Sequence, residues 1–342
     1  MKRSSEIVDP AAWDRFVNAS QGHILQTSTW GELKSGFGWD HEIVMVDGAN
    51  GIVSGAMILF RRVPLRLGVI AYVPRGPIVD WADEAAVKTL FAAIDYVAKD
   101  RRAALLKIEP DVEDTTKARQ QMRDLGFRPS PQTVQPPRTI MLDITGTEEQ
   151  ILARMNQGTR RKIRTAEKRD VTVRRGEGAD LASFSTLSEQ TGERDGFNVH
   201  SPEYFRAVFD LFAARYGALF MASLDQRDLA GLMVLAIGRR AWYLYGASSN
   251  EERERMPNYA LQWHAMQWAR SKGCTQYDLW GIPDEDEAVL ETQFQERHDG
   301  LWGVYGFKRG FGGRVYRSLG AWDRVYNPAI YTAYRLAVHQ RD

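Results

Sequence analysis

Between Trp242 and Arg314 the spacing of apolar positions runs from two residues to 3.6 and back, outlining a strand, a helix and a second strand. In AWYLYGA, Trp242 and Leu244 fall on one side and Tyr243 and Tyr245 on the other, which is strand alternation. Pro257 at a first helical position and Gly273 beyond the last turn bracket a helix of about sixteen residues. TQYDLWGI then reads as an apolar strand, and YGFKRGFGGR as a glycine-rich loop that holds Lys308.

The rest of the chain follows the same logic. Asp9-Pro10 and Thr27 open two short helices, the second with Lys34 on its exposed side. HEIVMV and IVSGAMILF flank the turn DGANG, and LGVIAYVPRGP is a strand ending in a Pro/Gly cluster. Val87, Leu90, Phe91, Ile94 and Val97 share one face of an amphipathic helix, followed by the buried strand AALLKIEP, the helix TTKARQQMRDLG and the strand RTIMLDI. Thr147 with Gln150 gives a capping box for EEQILARM. A basic helix, VTVRR, a helix carrying Leu181, Phe184 and Leu187, and a helix opened by Ser201 and Pro202 come next. ALFMASL, LAGLMVLAI and AWYLYGA form a meander, and Asn327-Pro328 begins a last helix.

The two halves repeat one order: hairpin or meander, helix, apolar strand (LLKIEP, YDLWGI), and a return through LGF or YGF. The pattern predicts one α/β unit used twice, an α/β (α+β) fold with two mixed sheets flanked by helices; the alternative is two unrelated α+β domains.

Length agrees, since 342 residues exceed one ordinary core. A charged content of 26% and an apolar content of 44% are those of a soluble globular protein, and a net charge of +1 means that any basic surface is local. The single cysteine, Cys274, excludes an internal disulfide and a cysteine-built zinc site, and reads as a small core residue. No apolar run approaches the length of a membrane span and the N-terminus has no leader-like core, so the expected location is cytoplasmic.

Charge is densest from Arg154 to Arg175, with nine Lys/Arg against two acids. Arg160, Arg161, Lys162, Arg164, Lys168 and Arg169 dominate it. On a helix Arg161, Arg164 and Lys168 fall on one face, away from Ile163 and Ala166. Such a face is either a phosphate-backbone surface for RNA or a solvated one. Lys308 sits among Gly306, Gly310, Gly312 and Gly313, with Phe307 and Phe311 as anchors. It is either a fixed positive charge for an oxyanion or phosphate, or an exposed lysine in a turn. The chain has no GxxxxGK[ST], GxSxG or HExxH, and its six histidines show no paired metal spacing, so neither metal nor cofactor is expected. A Gln/Arg-x-x-Gly-x-Gly/Ala pyrophosphate loop leading into a helix is also missing.

YLYGASSNEERERMPNYALQWHAMQWARSKGCTQYDLWGI followed by YGFKRGFGG resembles the Fem family (FemABX type) of peptidoglycan-bridge enzymes. QTSTWGELKSGFGW, MNQGTRRKIRTAEKR, TGERDGF and HSPEYF agree with it in order. The resemblance implies two N-acetyltransferase-like (GNAT) domains, residues 1–145 completed by 317–342, and residues 146–316. The first would bind the acceptor. It implies a non-ribosomal peptidyltransferase that uses aminoacyl-tRNA and transfers the amino acid to a stem-peptide amine of UDP-MurNAc-pentapeptide or lipid II. A compact monomer without a helical arm, touching the inner membrane surface peripherally, belongs to the same expectation. Lys34 would meet precursor phosphates, and Tyr204, Tyr243 and Tyr245 would line the acceptor groove. Lys308 would stabilise charge at the reacting carbonyl, and Arg160, Arg161, Arg164 and Lys168 would meet tRNA. His200 stands where an arginine is expected, which weakens a phosphate clamp. Glu109, with Asp111, is the candidate base. The competing reading is an acyl-CoA N-acyltransferase of the same fold, acting on a small amine or peptide.

Overall fold

The structure, a computed structural model, describes residues 9–62, 68–196, 198–297 and 299–339. The N-terminal stretch searched for a leader and His298 lie outside them. The chain divides into one unit of Met1–Pro137 with Arg317–Asp342 and a second of Arg138–Tyr316.

In the first unit, helix α1 (Pro10–Ala19) starts where the Asp9 carboxylate accepts the Ala11 N–H, and α2 (Ser28–Ser35) where the Thr27 hydroxyl accepts that of Trp30. Strands β1 (Asp40–Gly48) and β2 (Gly51–Arg62) form the expected hairpin, and β3 (Val69–Pro74) adds antiparallel to β2. Helix α3 (Glu84–Asp100), capped by Asp83, crosses to β4 (Ala103–Glu109), which runs parallel to β3 over the full length from Val69 to Pro74. Val87, Leu90, Phe91 and Ile94 of α3 bury against Ile58, Val73 and Ile108 of the sheet, about 1.5–3 kcal/mol for each large side chain. Helix α4 (Thr116–Asp124) and the short strand β5 (Arg128–Pro129) follow.

The second unit begins with β6 (Arg138–Asp143), α5 (Glu148–Arg154) with its Thr147/Gln150 capping box, and α6 (Gln157–Lys168), the basic helix. The sequence reading ends the first domain at 145. β6 instead pairs with the second sheet, so the boundary falls at 137/138. Next come β7 (Thr172–Arg175), α7 (Leu181–Asp195), α8 (Pro202–Phe212), and the meander β8 (Gly217–Leu224), β9 (Arg227–Ile237) and β10 (Arg240–Ser248). Helix α9 (Pro257–Ser271) crosses to β11 (Gln276–Gly281), parallel to β10. Ala260, Leu261, Ala265 and Met266 of α9, with Ile163 and Ala166 of α6, bury against Leu232, Val234, Tyr277 and Leu279. Cys274 is buried in this core, and burial pushes its thiol up to about 11.

Helix α10 (Glu287–Gln293) comes next, and the stretch read as a glycine-rich loop begins inside helix α11 (Trp302–Lys308) and continues through a 3₁₀ turn, Arg309–Phe311, to β12 (Arg314–Arg317). Buried Trp302 and Tyr305 hold α11 in place despite Gly306. Strand β13 (Trp322–Val325) then inserts antiparallel between β4 and β5, and α12 (Pro328–His339) completes the first unit. The sheets are ordered β1-β2-β3-β4-β13-β5 and β12-β6-β11-β10-β9-β8-β7. Each carries a parallel pair bridged by a helix, so the repeated α/β unit read from the sequence is the fold that forms. The longest helix among the described residues, α3, has 17 residues, and none is long and apolar enough to cross a membrane.

Candidate functional site

The parallel pair of the second sheet is cut short. β10 and β11 match only from Arg240 with Gln276 to Trp242 with Asp278, and the β11–β6 register shifts between Asp278 and Gly281. At that point the buried Asp278 carboxylate accepts the Trp280 N–H at 2.8 Å, two residues on, as in an Asx turn. Trp280 takes φ +60°, a left-handed conformation that costs a bulky residue about 1–3 kcal/mol. The strands part there.

Lys308, the last residue of α11, fills the parting. Its side chain is buried, and Nζ donates to the Gly281 carbonyl at 2.6 Å and, more loosely, to that of Trp280 at 3.4 Å. The Tyr243 ring lies 5.7 Å away. Burial lowers the ammonium from 10.5 to about 7, against the pull of Asp278. Tyr259 of α9 stacks on Phe311 and meets Phe307 edge-on, with centroids 5.6 and 4.9 Å apart, so both aromatic anchors are seated. Arg309 pairs with Glu291, whose carboxylate also accepts the Tyr305 hydroxyl at 2.7 Å. The Gly310 carbonyl accepts the Asn156 N–H at 3.0 Å, and a Cβ on Gly310 would collide with Thr159 Oγ1. The turn after Lys308 is thus built against the start of α6.

The tyrosines divide differently from the alternation in the sequence. Tyr243 pairs with Val234, Tyr245 pairs with Met233, and Leu244 is the extra residue of a bulge. One inserted residue inverts the side-chain phase, so Tyr243 and Tyr245 face opposite sides of the sheet. Tyr243 lies on the α9 side beside Lys308, its hydroxyl over the backbone of Gly246, where a Cβ would collide with it. Tyr245 meets α8: its hydroxyl is 3.1 Å from that of Tyr204, and the His200 ring stacks on Tyr204 at 3.9 Å. Burial raises Tyr204 and Tyr243 to about 12 and also pushes Tyr245 well above its usual value, so all three are neutral phenols at pH 7. His200, Tyr204 and Tyr245 form one cluster, while Tyr243 and Lys308 form another.

Lys34 and Glu109 lie in the first unit. Lys34 is not on an open face: its ammonium sits 5.1 Å over the Trp30 ring, and burial, then the Arg61 charge, lowers it to about 8. Two cations placed together suit an anionic ligand. Glu109 is buried and accepts the Tyr72 hydroxyl and the N–H groups of Val134 and Gln135. With both oxygens occupied, it ties a loop to β4.

On α6, Ile163 and Ala166 are buried while Arg161, Arg164 and Lys168 stay exposed and line, with Gln157 and Arg160, a surface hollow of about 580 Å³. Arg160 is half-buried and donates to the Met155 carbonyl, and Lys162 turns to the Tyr259 hydroxyl at 2.9 Å. Among the described residues no cluster of His, Cys, Asp and Glu could hold a metal. Sequence reasoning missed Asp278 and Trp280. Their only local signal is the Asp-x-Trp spacing of the turn.

The FemAB family model matches residues 8–229 and 225–339. The lipid II:glycine glycyltransferase of Staphylococcus saprophyticus is 29% identical, over 94% of this chain and 92% of its own. The crystal structure of FemX superposes with a TM-score of 0.86 at 25% identity, covering 96% of this chain and 99% of that one. A tandem GNAT protein from the clavulanic acid biosynthesis pathway shares the fold, with a TM-score of 0.53 at 11% identity over 93% of this chain and 95% of its own. Two GNAT-like sheets, a split second sheet closed by a lysine, and a family match along almost the whole length lead to one assignment: the chain belongs to the FemAB family.

Proposed function

We propose that this FemAB-family transferase moves an amino acid from aminoacyl-tRNA to a stem-peptide amine of a peptidoglycan precursor, forming the interpeptide bridge. The names of the staphylococcal relatives favour lipid II over UDP-MurNAc-pentapeptide as acceptor. A lipid-linked acceptor brings the protein, working as a cytoplasmic monomer, to the inner membrane surface.

One observation carries the reading: a lysine nitrogen is fixed, out of bulk water, at the parting of two parallel strands. An ammonium has three donors. Two of those on Lys308 meet carbonyls, and the third is left for an incoming oxygen. In the reaction the acceptor nitrogen attacks the ester carbonyl, the C–N bond forms, and the C–O bond to the terminal ribose breaks. The proton shed by the nitrogen leaves with the ribose oxygen. No covalent enzyme intermediate is needed, because alignment alone can remove roughly 7–11 kcal/mol of the barrier. A charge already placed at the oxyanion adds about 3–4 kcal/mol. The outer face of α6 holds tRNA phosphates, Lys34 with Arg61 holds precursor phosphates, and the His200–Tyr204–Tyr245 cluster lines the acceptor path. Stacked on Tyr204, His200 supplies a ring surface where an arginine would supply a fork of donors.

Mass spectrometry of lipid II and of UDP-MurNAc-pentapeptide, each incubated with the protein and charged tRNA, tests the proposal. A mass increase of one amino-acid residue is expected, larger with lipid II. Acyl transfer from coenzyme A thioesters with none from tRNA would replace it with the acyl-CoA reading.

A further inference from the structure

We infer that Asp278 is a positioning residue that makes the turn parting β11 from β10 and stands as the counter-charge to the Lys308 ammonium. Its importance to turnover rests on the function proposed above, but its two structural roles do not.

In the first unit β3 and β4 stay paired through Pro74 with Glu109. In the second, parallel pairing stops at Asp278 itself. Asp278 is 4% exposed, and its carboxylate accepts the Trp280 N–H and the Thr139 hydroxyl of β6. Anchored to β6 and curled onto its own backbone, it holds Trp280 left-handed, and the carbonyls of Trp280 and Gly281 then face Lys308. Without the turn, those carbonyls would continue the ladder toward β10 and Lys308 would have no seat.

The charges around Lys308 point the same way. From β10 comes Tyr243 and from β11 Tyr277, both neutral phenols at pH 7 because burial raises them. Gln262 of α9, which accepts the Tyr277 hydroxyl at 2.9 Å, and Thr139 of β6 are neutral. On its own helix Arg309 is matched by Glu291 of α10. Burial drives the Lys308 ammonium toward its neutral form, and Asp278 is the anion that opposes that loss of the proton.

The test is the titration of Lys308 in protein labelled with ¹³C-lysine, its Cε signal assigned by its loss in Lys308→Met. Asp278→Asn keeps an acceptor oxygen for the Trp280 N–H and removes the charge. Its Lys308 midpoint should fall by about one pH unit or more below wild type. Asp278→Ala removes both, and hydrogen exchange at the Trp280 amide should also quicken at least about tenfold, as for a lost buried hydrogen bond. An unmoved midpoint in Asp278→Asn overturns the counter-charge, and unchanged Trp280 exchange in Asp278→Ala overturns the turn. Neither readout uses the reaction. In transfer assays the alkaline limb of kcat should move with the midpoint while KM for tRNA holds. If the midpoint moves and the limb does not, Lys308's part in the transfer fails and the placement of Asp278 stands.

Discussion

Replacing Lys308 by methionine should impair the enzyme and stabilise the fold in the same molecule. The fall from 10.5 to about 7 means that burial costs the charged form roughly 5 kcal/mol. Because the folded value lies below the unfolded one, the unfolded chain binds the extra proton between about pH 7 and 10.5. Stability therefore rises with pH through that window, and the penalty is present in full below it. Methionine keeps most of the stem and removes the charge, but it orphans the Gly281 carbonyl, at a loss of about 1–3 kcal/mol. The Trp280 contact, at 3.4 Å, is too long to add much. At pH 6 the net is a gain of roughly 2–4 kcal/mol, or several degrees in Tm for a chain of this size. The gain should fade as pH rises through that window, because the folded lysine is already neutral while the unfolded one gives up its proton only toward pH 10.5. Turnover at saturating tRNA and precursor should fall about a hundredfold or more, as for an oxyanion donor. Scanning fluorimetry from pH 6 to 10 and a mass-spectrometric transfer assay measure the two effects. Wild-type turnover would refute the catalytic role, and a Tm that drops at pH 6 would refute the burial argument.

The other perturbations separate roles that the sequence joins. Arg161→Glu with Arg164→Glu reverses two exposed charges on α6 and leaves Ile163 and Ala166 packed, so KM for charged tRNA should rise about tenfold or more and its log–log salt slope should shrink by about two. An unaltered slope returns α6 to a solvated face. Glu109→Gln mismatches the Val134 and Gln135 N–H groups, so stability should fall by about 1.5–3 kcal/mol, read as a lower denaturant midpoint, while the acid limb of kcat stays in place. A shifted acid limb would restore Glu109 as the base.

What was legible was local. Thr27, Thr147 with Gln150, Ser201 and Pro257 mark helix starts by chemistry confined to one turn, and all four mark real ones. The repeated unit was legible too, because the apolar runs and the crossing helices recur in one order. The bulge at Leu244 was not, since Tyr-Leu-Tyr-Gly alternates regularly whether or not one residue is left unpaired. Gly246, bare beneath Tyr243, becomes informative only once the strands are paired. Helix α11 was hidden by its glycines, whose weak propensity is overridden by burial of Trp302 and Tyr305. The aromatic and glycine setting of Lys308 suggested a fixed cation. Its seat is made by residues 27 and 28 positions earlier, a pairing that no local pattern encodes.

The two cationic features of the second unit are one mechanical piece. The N-terminal turn of α6 donates its Asn156 N–H to Gly310, two residues past Lys308, and Thr159 packs where a Gly310 side chain would be. One turn further on, Lys162 bonds the Tyr259 hydroxyl, and the Tyr259 ring stacks on Phe311. A polyanion gripped by Arg161, Arg164 and Lys168 therefore bears on a helix whose inner residues hold the turn that ends in Lys308. The charges proposed to attract a polyanion stay exposed, whereas the charge proposed to act at the reacting carbonyl is buried, where each interaction is stronger. On the proposed roles, salt and RNA would act on the outer set while the inner nitrogen stays buried. For that arrangement a side chain at Gly310 is the most damaging small change, because it would push α6 and the lysine apart together.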